Sequence, residues 1–280
     1  MIGVILTAIG TFFEEIATTK GKAAVSGHQQ SVYTMGFLQM LGGVLLYGVI
    51  ILFSPDTFVF SHDSLPTFLP RILLEILQAQ LTITAIVRAS RSTYSFIRIL
   101  TIPLLAAVDI VLGYSLGIMP LLGIGVIIAT IIGMFSNLGT SDRKGWYFAL
   151  GSALNAVLTL SLYKYNITHF NSVVAEQSII QMAVLFYFFV IAYVRCGENA
   201  LMFLTKPRFL VQTLAQGIGG LTESFGMLYA PASVILAAKR SSAMLWAIGS
   251  GNLYFHEHHF RRKLIEGGLL IVGLLLLILS

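Results

Sequence analysis

Charge is what this sequence has least of. Only 10% of its 280 residues are Asp, Glu, Lys or Arg, against about a quarter in an ordinary soluble domain. So small a supply cannot solvate a surface, and no stretch is left over for a soluble domain. Cysteine is nearly absent too. Cys196 stands alone, which excludes an internal disulfide and any Cys-x-x-Cys site. No Gly-x-x-x-x-Gly-Lys-Ser/Thr loop occurs, so the chain carries no ATP-hydrolysing module of its own. No nucleophile, base and orienting group stand together. The expectation is therefore a protein that is not an enzyme and uses no cofactor. The run His256, Glu257, His258, His259 lacks the His-Glu-x-x-His spacing of a zinc helix. Beside Arg261, Arg262 and Lys263 it reads as a wet interfacial turn, not a metal site.

Apolar residues fill the space. They make up 56% of the chain, with a mean hydropathy of +0.86, and a lipid-spanning helix needs roughly 20 such residues in a row. Apolar runs and their breakers place ten spans near 1–18, 32–53, 67–87, 93–113, 119–138, 145–163, 173–194, 208–229, 231–252 and 264–279. The turn formers Ser54, Pro55 and Asp56 close one span, and the polar stretch Gly139 to Asp142, followed by Arg143 and Lys144, marks the midpoint. The first run lacks a basic leader and is interrupted by Glu14 and Glu15, so it reads as a span, not a signal peptide. The formal charge of +5 records loop orientation in such a chain and does not imply nucleic acid.

Ten spans suggest two units of five, 1–138 and 145–280, and a search for self-similarity finds a weak, structured match. A shift of 144 sets Lys20 on Lys164 and Gly123 on Gly267. A shift of 141 sets Ala89 on Ala230, Arg98 on Lys239, Glu75 on Gln216 and Thr82 on Glu223. Seven residues is nearly two helical turns, so each matched helix carries its polar pair on one face. An odd number of spans per unit makes the second unit enter the membrane from the opposite side, giving inverted repeats of a kind common in secondary transporters. The basic residues agree. Lys20, Lys22, Arg88, Arg91, Arg143, Lys144, Arg195, Lys206, Arg208, Arg261, Arg262 and Lys263 fall after spans one, three, five, seven and nine, while Arg71 and Lys164 fall on the other connections. The positive-inside rule then puts both termini outside the cytoplasm.

The end of each half, running from "VRASRSTYSFIRILTIPLL" and from "LYAPASVILAAKRSSAMLW", resembles the EamA-like units of the drug/metabolite transporter superfamily. Those units share a small-residue fourth helix, often with Pro, a Gly-Glu-like turn and a Gly-rich fifth helix. Pro103 supplies the proline, Glu257 the turn carboxylate, and Gly267 with Gly268 the glycines; the first half has Gly113-Tyr114 at the turn. The resemblance implies ten helices over the whole chain, a multi-pass place in the cell (inner) membrane, and transport of a small molecule. Its members usually have cytoplasmic termini, opposite to the charge count, so inversion between the halves is the firmer expectation.

Intramembrane charge is expensive and tends to face a cavity, which singles out Arg98, Lys239 and Arg240. Lys239 and Arg240 lie about 12 Å along their span, too deep to snorkel freely. Together the three cations could form an anion site, arginine gripping phosphate or carboxylate in bidentate fashion. The arrangement is similar to the phosphate-binding pattern of plastid triose-phosphate translocators in the same superfamily, which also implies Thr82 as a hydroxyl contributor. The bland alternative is pairing with Glu75, Asp109, Glu223 or the carboxylates of the first span. Separately, "AIGTFFEEIATTKGK" resembles the first helix of small multidrug resistance proteins, which implies Glu14 as a proton-coupling carboxylate, followed by Thr18, Thr19 and Lys20. Gln212, Gln216 and Glu223, like Glu75, Gln78 and Thr82, follow helical spacing and could line a cavity or glue helices. Gly113 and Gly117 read as a close-packing pair.

The resulting expectation is an all-α membrane protein of two inverted five-helix repeats moving a small metabolite by alternating access. The preferred substrate is an organic anion or phosphorylated metabolite bound by Arg98, Lys239, Arg240, Thr82, Gln216 and Glu223. Proton-coupled export of cationic or amphipathic compounds through Glu14 is the alternative. A membrane-embedded enzyme and a non-transporting scaffold are more distant readings. Expected partners are the substrate and membrane lipid, with no nucleic acid and a possible second copy of the chain.

Overall fold

A computed structural model describes residues 2–105, 118–136, 140–226, 229, 232–255 and 260–278. Among these no strand occurs, and ten helices are delimited: α1 (Ile2–Ser26), α2 (Val32–Phe53), α3 (Leu65–Arg88), α4 (Arg91–Ile99), α5 (Ile118–Ser136), α6 (Thr140–His169), α7 (Val173–Cys196), α8 (Pro207–Gly226), α9 (Ala232–Phe255) and α10 (Phe260–Ile278). Short 3-10 turns lie at Pro55–Thr57, His62–Ser64 and Ala200–Thr205.

Local chemistry sets the ends. Ser31, Ser90 and Ser172 each cap a helix, accepting a hydrogen bond from the backbone N–H three residues on. Gly197 closes α7 at φ 65°, a left-handed conformation that suits glycine. α4 stops at Ile99 although helix resumes over residues 101–105. Pro103 explains the break, since it has no N–H to donate to the Ile99 carbonyl and its ring crowds that turn.

Among the described residues, five helical stretches are long and apolar enough to cross a membrane: Ile2–Ser26, Val32–Phe53, Pro55–Arg88, Gly145–His169 and Val173–Cys196. The polarity of the bundle is inside out for water. Leu69, Leu73 and Leu77 of α3, and Met182, Phe186 and Val190 of α7, line exposed stripes, whereas Glu15, Arg71, Arg91 and Glu176 are buried. That distribution suits hydrocarbon as the surrounding solvent.

The helices pack in pairs: α1 on α8, α3 on α6, α2 on α7, α4 on α9 and α5 on α10. Apolar clusters fill the contacts, the larger two centred on Phe37, Leu38, Val184 and Phe188 and on Phe96, Ile127, Met244 and Leu270, and a smaller one on Ala85, Ile97 and Ala149. Small residues bring α8 close to two neighbours. Gly10 meets Gly219 along α1, and Gly42 meets Gly217 along α2, with too little room for a Cβ at either crossing.

Several sequence expectations change. α1 continues to Ser26 rather than 18, and α6 starts at Thr140, so the midpoint stretch from Thr140 to Lys144 is helix and not a turn. Arg71, Arg91 and Lys22, counted above as loop cations, are buried in helices. The basic imbalance survives their removal, because Lys20, Arg88, Arg195 and Arg208 remain exposed. Asp109, Gly113, Tyr114, Gly117 and the run 256–259 lie outside the described residues.

Candidate functional site

Four sets of polar side chains among the described residues bear on the residues that the sequence singled out. Two are tight arginine–carboxylate pairs. Arg91, in the first turn of α4, grips Glu15 of α1 with both Nε (3.1 Å) and Nη2 (2.5 Å). Glu15 also accepts from Thr19 and Ser250, and Arg91 donates to Thr18. On α3, Arg71 is 1% exposed and pairs with the fully buried Glu176 at 2.5 Å and with Glu75 at 3.3 Å. Asn166 and Asn171 donate to the same Glu176 carboxylate, and the Arg71 guanidinium stacks over Tyr163. A buried pair this well hydrogen-bonded offsets the desolvation of its charges.

The third group joins residues that the sequence assigned to rival readings. Lys239 of α9 donates to Glu223 of α8 and lies 3.2 Å from Glu14 of α1. Nearby, Tyr47 of α2 donates to Ser224 at 2.8 Å. Lys239 therefore has two carboxylates to itself, and is not available as a bare anion ligand in this conformation. The pairing of Lys239 with Glu223 and a first-span carboxylate matches the bland alternative for that residue, while Glu15 pairs with Arg91 rather than with Arg98.

Arg98 and Arg240 make the fourth group, and they differ. Among the described residues, no carboxylate oxygen lies within 4.0 Å of either guanidinium. Arg240 is 6% exposed, and its Nε has no hydrogen-bond partner. Its strongest charge–charge influence comes from Arg98, which repels it. The Arg98 Nε is likewise unpartnered, and its Nη1 donates at 2.6 Å to Ser152 of α6.

Ser152 is the hub of this corner. It accepts from Gln78 at 2.7 Å and shares a 2.9 Å hydrogen bond with Thr82, while Asn155 donates to Gln78 at 3.0 Å. Thr82 thus stands two hydrogen bonds from Arg98, through Ser152. Gln216 keeps an unpartnered, buried Oε1 on α8. Ser152, Asn155, Tyr47 and Ser250 were not singled out from the sequence. Ser152, Asn155 and Thr159 at i, i+3 and i+7 are a polar stripe in the apolar middle of α6, the signal that could have found the first two.

Two positive charges without a counter-ion among the described residues favour an anion, and two guanidinium forks match phosphate or carboxylate geometry. The Glu14, Glu223 and Lys239 triad beside them can exchange partners, since each carboxylate competes for one ammonium. Among the described residues no group of three or more metal-ligating side chains occurs. Neither a protein-family model nor a curated protein matches this chain.

Proposed function

We propose that the chain is a multi-pass membrane transporter of the EamA-like kind, moving an organic anion or phosphorylated metabolite by alternating access. The observation that carries the reading is the half-buried Arg98 and the buried Arg240, neither within 4.0 Å of a carboxylate among the described residues. A structural arginine in a bundle finds a carboxylate, as Arg71 and Arg91 do; one held only by a hydroxyl, or with an unpartnered N–H, is suited to an anionic ligand.

The packing pattern supports two related units, 1–138 and 145–280. Exchanging them turns the α1–α8 contact into α6–α3, and the α1–α9 contact into α6–α4. The contacts α2–α7, α4–α9 and α5–α10 map onto themselves. A pseudo-twofold with its midplane site between inverted units has this contact symmetry. The contact of α4, which carries Arg98, with α9, which carries Arg240, is one of those that map onto themselves. The membrane in question is the cell (inner) membrane, with lipid and the substrate as partners.

A second reading has its own observation. Glu14 and Glu223 surround a primary ammonium, that of Lys239, so the same carboxylates suit a cationic substrate or a proton, as proton-coupled export requires.

Uptake into proteoliposomes separates the two. Labelled organophosphates and a cationic dye are compared for wild type and for Arg98→Gln, Arg240→Gln and Glu14→Gln. The anion reading expects each arginine replacement to cut organophosphate flux by at least about tenfold, the worth of one charge-assisted hydrogen bond. The cation reading expects Glu14→Gln alone to abolish dye flux. Unchanged flux in every variant defeats both.

A further inference from the structure

A cavity of about 310 Å³ opens where the C-terminal part of α1 meets the first turns of α8 and the end of α9. That volume falls within the range of small-ligand sites, roughly 300–1,000 Å³. Thr19, Lys20, Gln29, Arg208, Gln212 and Tyr254 are among its walls, and no carboxylate is. It lies on the face that also carries the exposed Arg88, Arg195 and Lys206, at the opposite end of α3 from Arg71.

Three features of the walls favour one ligand chemistry. Lys20 and Arg208 supply two cations, neither ion-paired among the described residues. Arg208 is held in place by donating Nη1 to Gln29 at 2.6 Å and by lying over the Phe209 ring, which leaves other guanidinium N–H groups to the cavity mouth. Arg208 also sits in the first turn of the 20-residue helix α8, the end whose dipole favours negative charge. The third feature is independent of charge. Gln212 is 1% exposed, its Oε1 accepts from Gln30, and its Nε2 donates to nothing. A buried amide donor without an acceptor is a rare and unfavourable condition, and an anionic oxygen in the cavity would relieve it. Tyr254 lines the cavity with an exposed ring, where an acyl chain would lie.

We propose that this cavity binds a phosphate-bearing anion through Lys20, Arg208 and Gln212, and that in the membrane it holds the headgroup of an anionic phospholipid. The site rests on the membrane reading above but is independent of substrate and transport direction, so loss of flux in Arg98→Gln leaves it intact.

The test is native mass spectrometry of the full chain released from bilayers of phosphatidylcholine with phosphatidylglycerol, with and without millimolar inorganic phosphate. Wild type should retain phosphatidylglycerol in preference to phosphatidylcholine. Lys20→Gln and Arg208→Gln should each lower retention about fivefold, the share of one cation near an anionic surface. Arg195→Gln, an exposed cation on the same face, should leave retention unchanged. Gln212→Leu should lower retention although it removes no charge, and Lys20→Gln keeps the test decisive if Gln212→Leu fails to fold. Displacement of lipid by phosphate would assign the site to free phosphate compounds, and resistance to displacement would assign it to lipid. Equal retention in wild type, Lys20→Gln and Arg208→Gln, or an equal loss in Arg195→Gln, would overturn the proposal.

Discussion

Glu14 and Glu15 are neighbours in the chain and belong to different ion pairs, Glu14 lying 3.2 Å from Lys239 and Glu15 2.5 Å from Arg91. Successive helical residues are turned by about 100°, so α1 offers one carboxylate toward α8 and α9 and the other toward α4. The same helix therefore serves a rigid contact and an exchangeable one. Glu15 is locked by a two-pronged guanidinium and two hydroxyls. Glu14 shares one ammonium with a competitor, Glu223.

The rigid contact should govern stability. Arg91→Met strands the Glu15 carboxylate in the bundle, and removing one partner of a buried pair costs about 3–5 kcal/mol. Thermal unfolding in detergent should show that loss, and the double replacement Glu15→Gln with Arg91→Met should recover most of it. Wild-type stability in Arg91→Met would contradict the pairing.

Arg240 should behave in the opposite sense. With no counter-ion among the described residues, its burial opposes folding, so Arg240→Met is expected to leave the empty protein as stable or to stabilise it by about 1–4 kcal/mol, while organophosphate flux collapses. Thermal unfolding and flux measured on one preparation decide this. Destabilisation by Arg240→Met would reveal a structural partner and remove the main support for the anion site.

Ser152 connects Arg98 to Thr82 and Gln78. Ser152→Ala takes a partner from three side chains at once, and each unsatisfied buried group costs about 1–3 kcal/mol. The expected result is a loss of at least about 2 kcal/mol by thermal unfolding, together with weaker organophosphate uptake from a less well-positioned Arg98. Thr82→Val removes one hydroxyl and should cost less. A larger loss for Thr82→Val than for Ser152→Ala would refute the role of Ser152 as the hub.

The helices were legible where hydrophobicity alone decides them. The run 32–53 is α2 to the residue, and 173–194 falls two residues short of the end of α7. Reading failed where a polar residue sits inside a helix. Thr19 and Lys22 ended the apolar run of α1 but not its hydrogen-bond ladder, because Thr19 donates to Glu15 and Lys22 to the Ala89 carbonyl within the protein. Arg71 and Arg91 looked like loop residues for the same reason. Their partners Glu176 and Glu15 lie 105 and 76 residues away, and no local pattern announces a pairing at that range. Arg98, Lys239 and Arg240 were recognisable as costly charges, yet which of them carries a counter-ion depended on where α8 delivers Glu223.

The crossing of α2 and α8 gives the last prediction. A Cβ on Gly42 would lie 1.9 Å from the Thr213 carbonyl oxygen and 2.9 Å from the Gly217 nitrogen. These are backbone atoms, which cannot swing aside as a side chain would, so Gly42→Ala must force the two helices apart. Overpacking of this kind costs about 1–3 kcal/mol in side-chain cores and more where backbone must move. Gly48 lies on the same helix with nothing within 4 Å of its Cβ position. Gly48→Ala should be neutral or stabilise by up to about 1 kcal/mol through the better helix propensity of alanine. Because α8 also carries Glu223, separating it from α2 should disturb the Lys239 triad. Gly42→Ala is therefore expected to lower both the unfolding temperature and transport, and Gly48→Ala neither. Equal behaviour of the two variants would show that the helices do not approach this closely in the membrane.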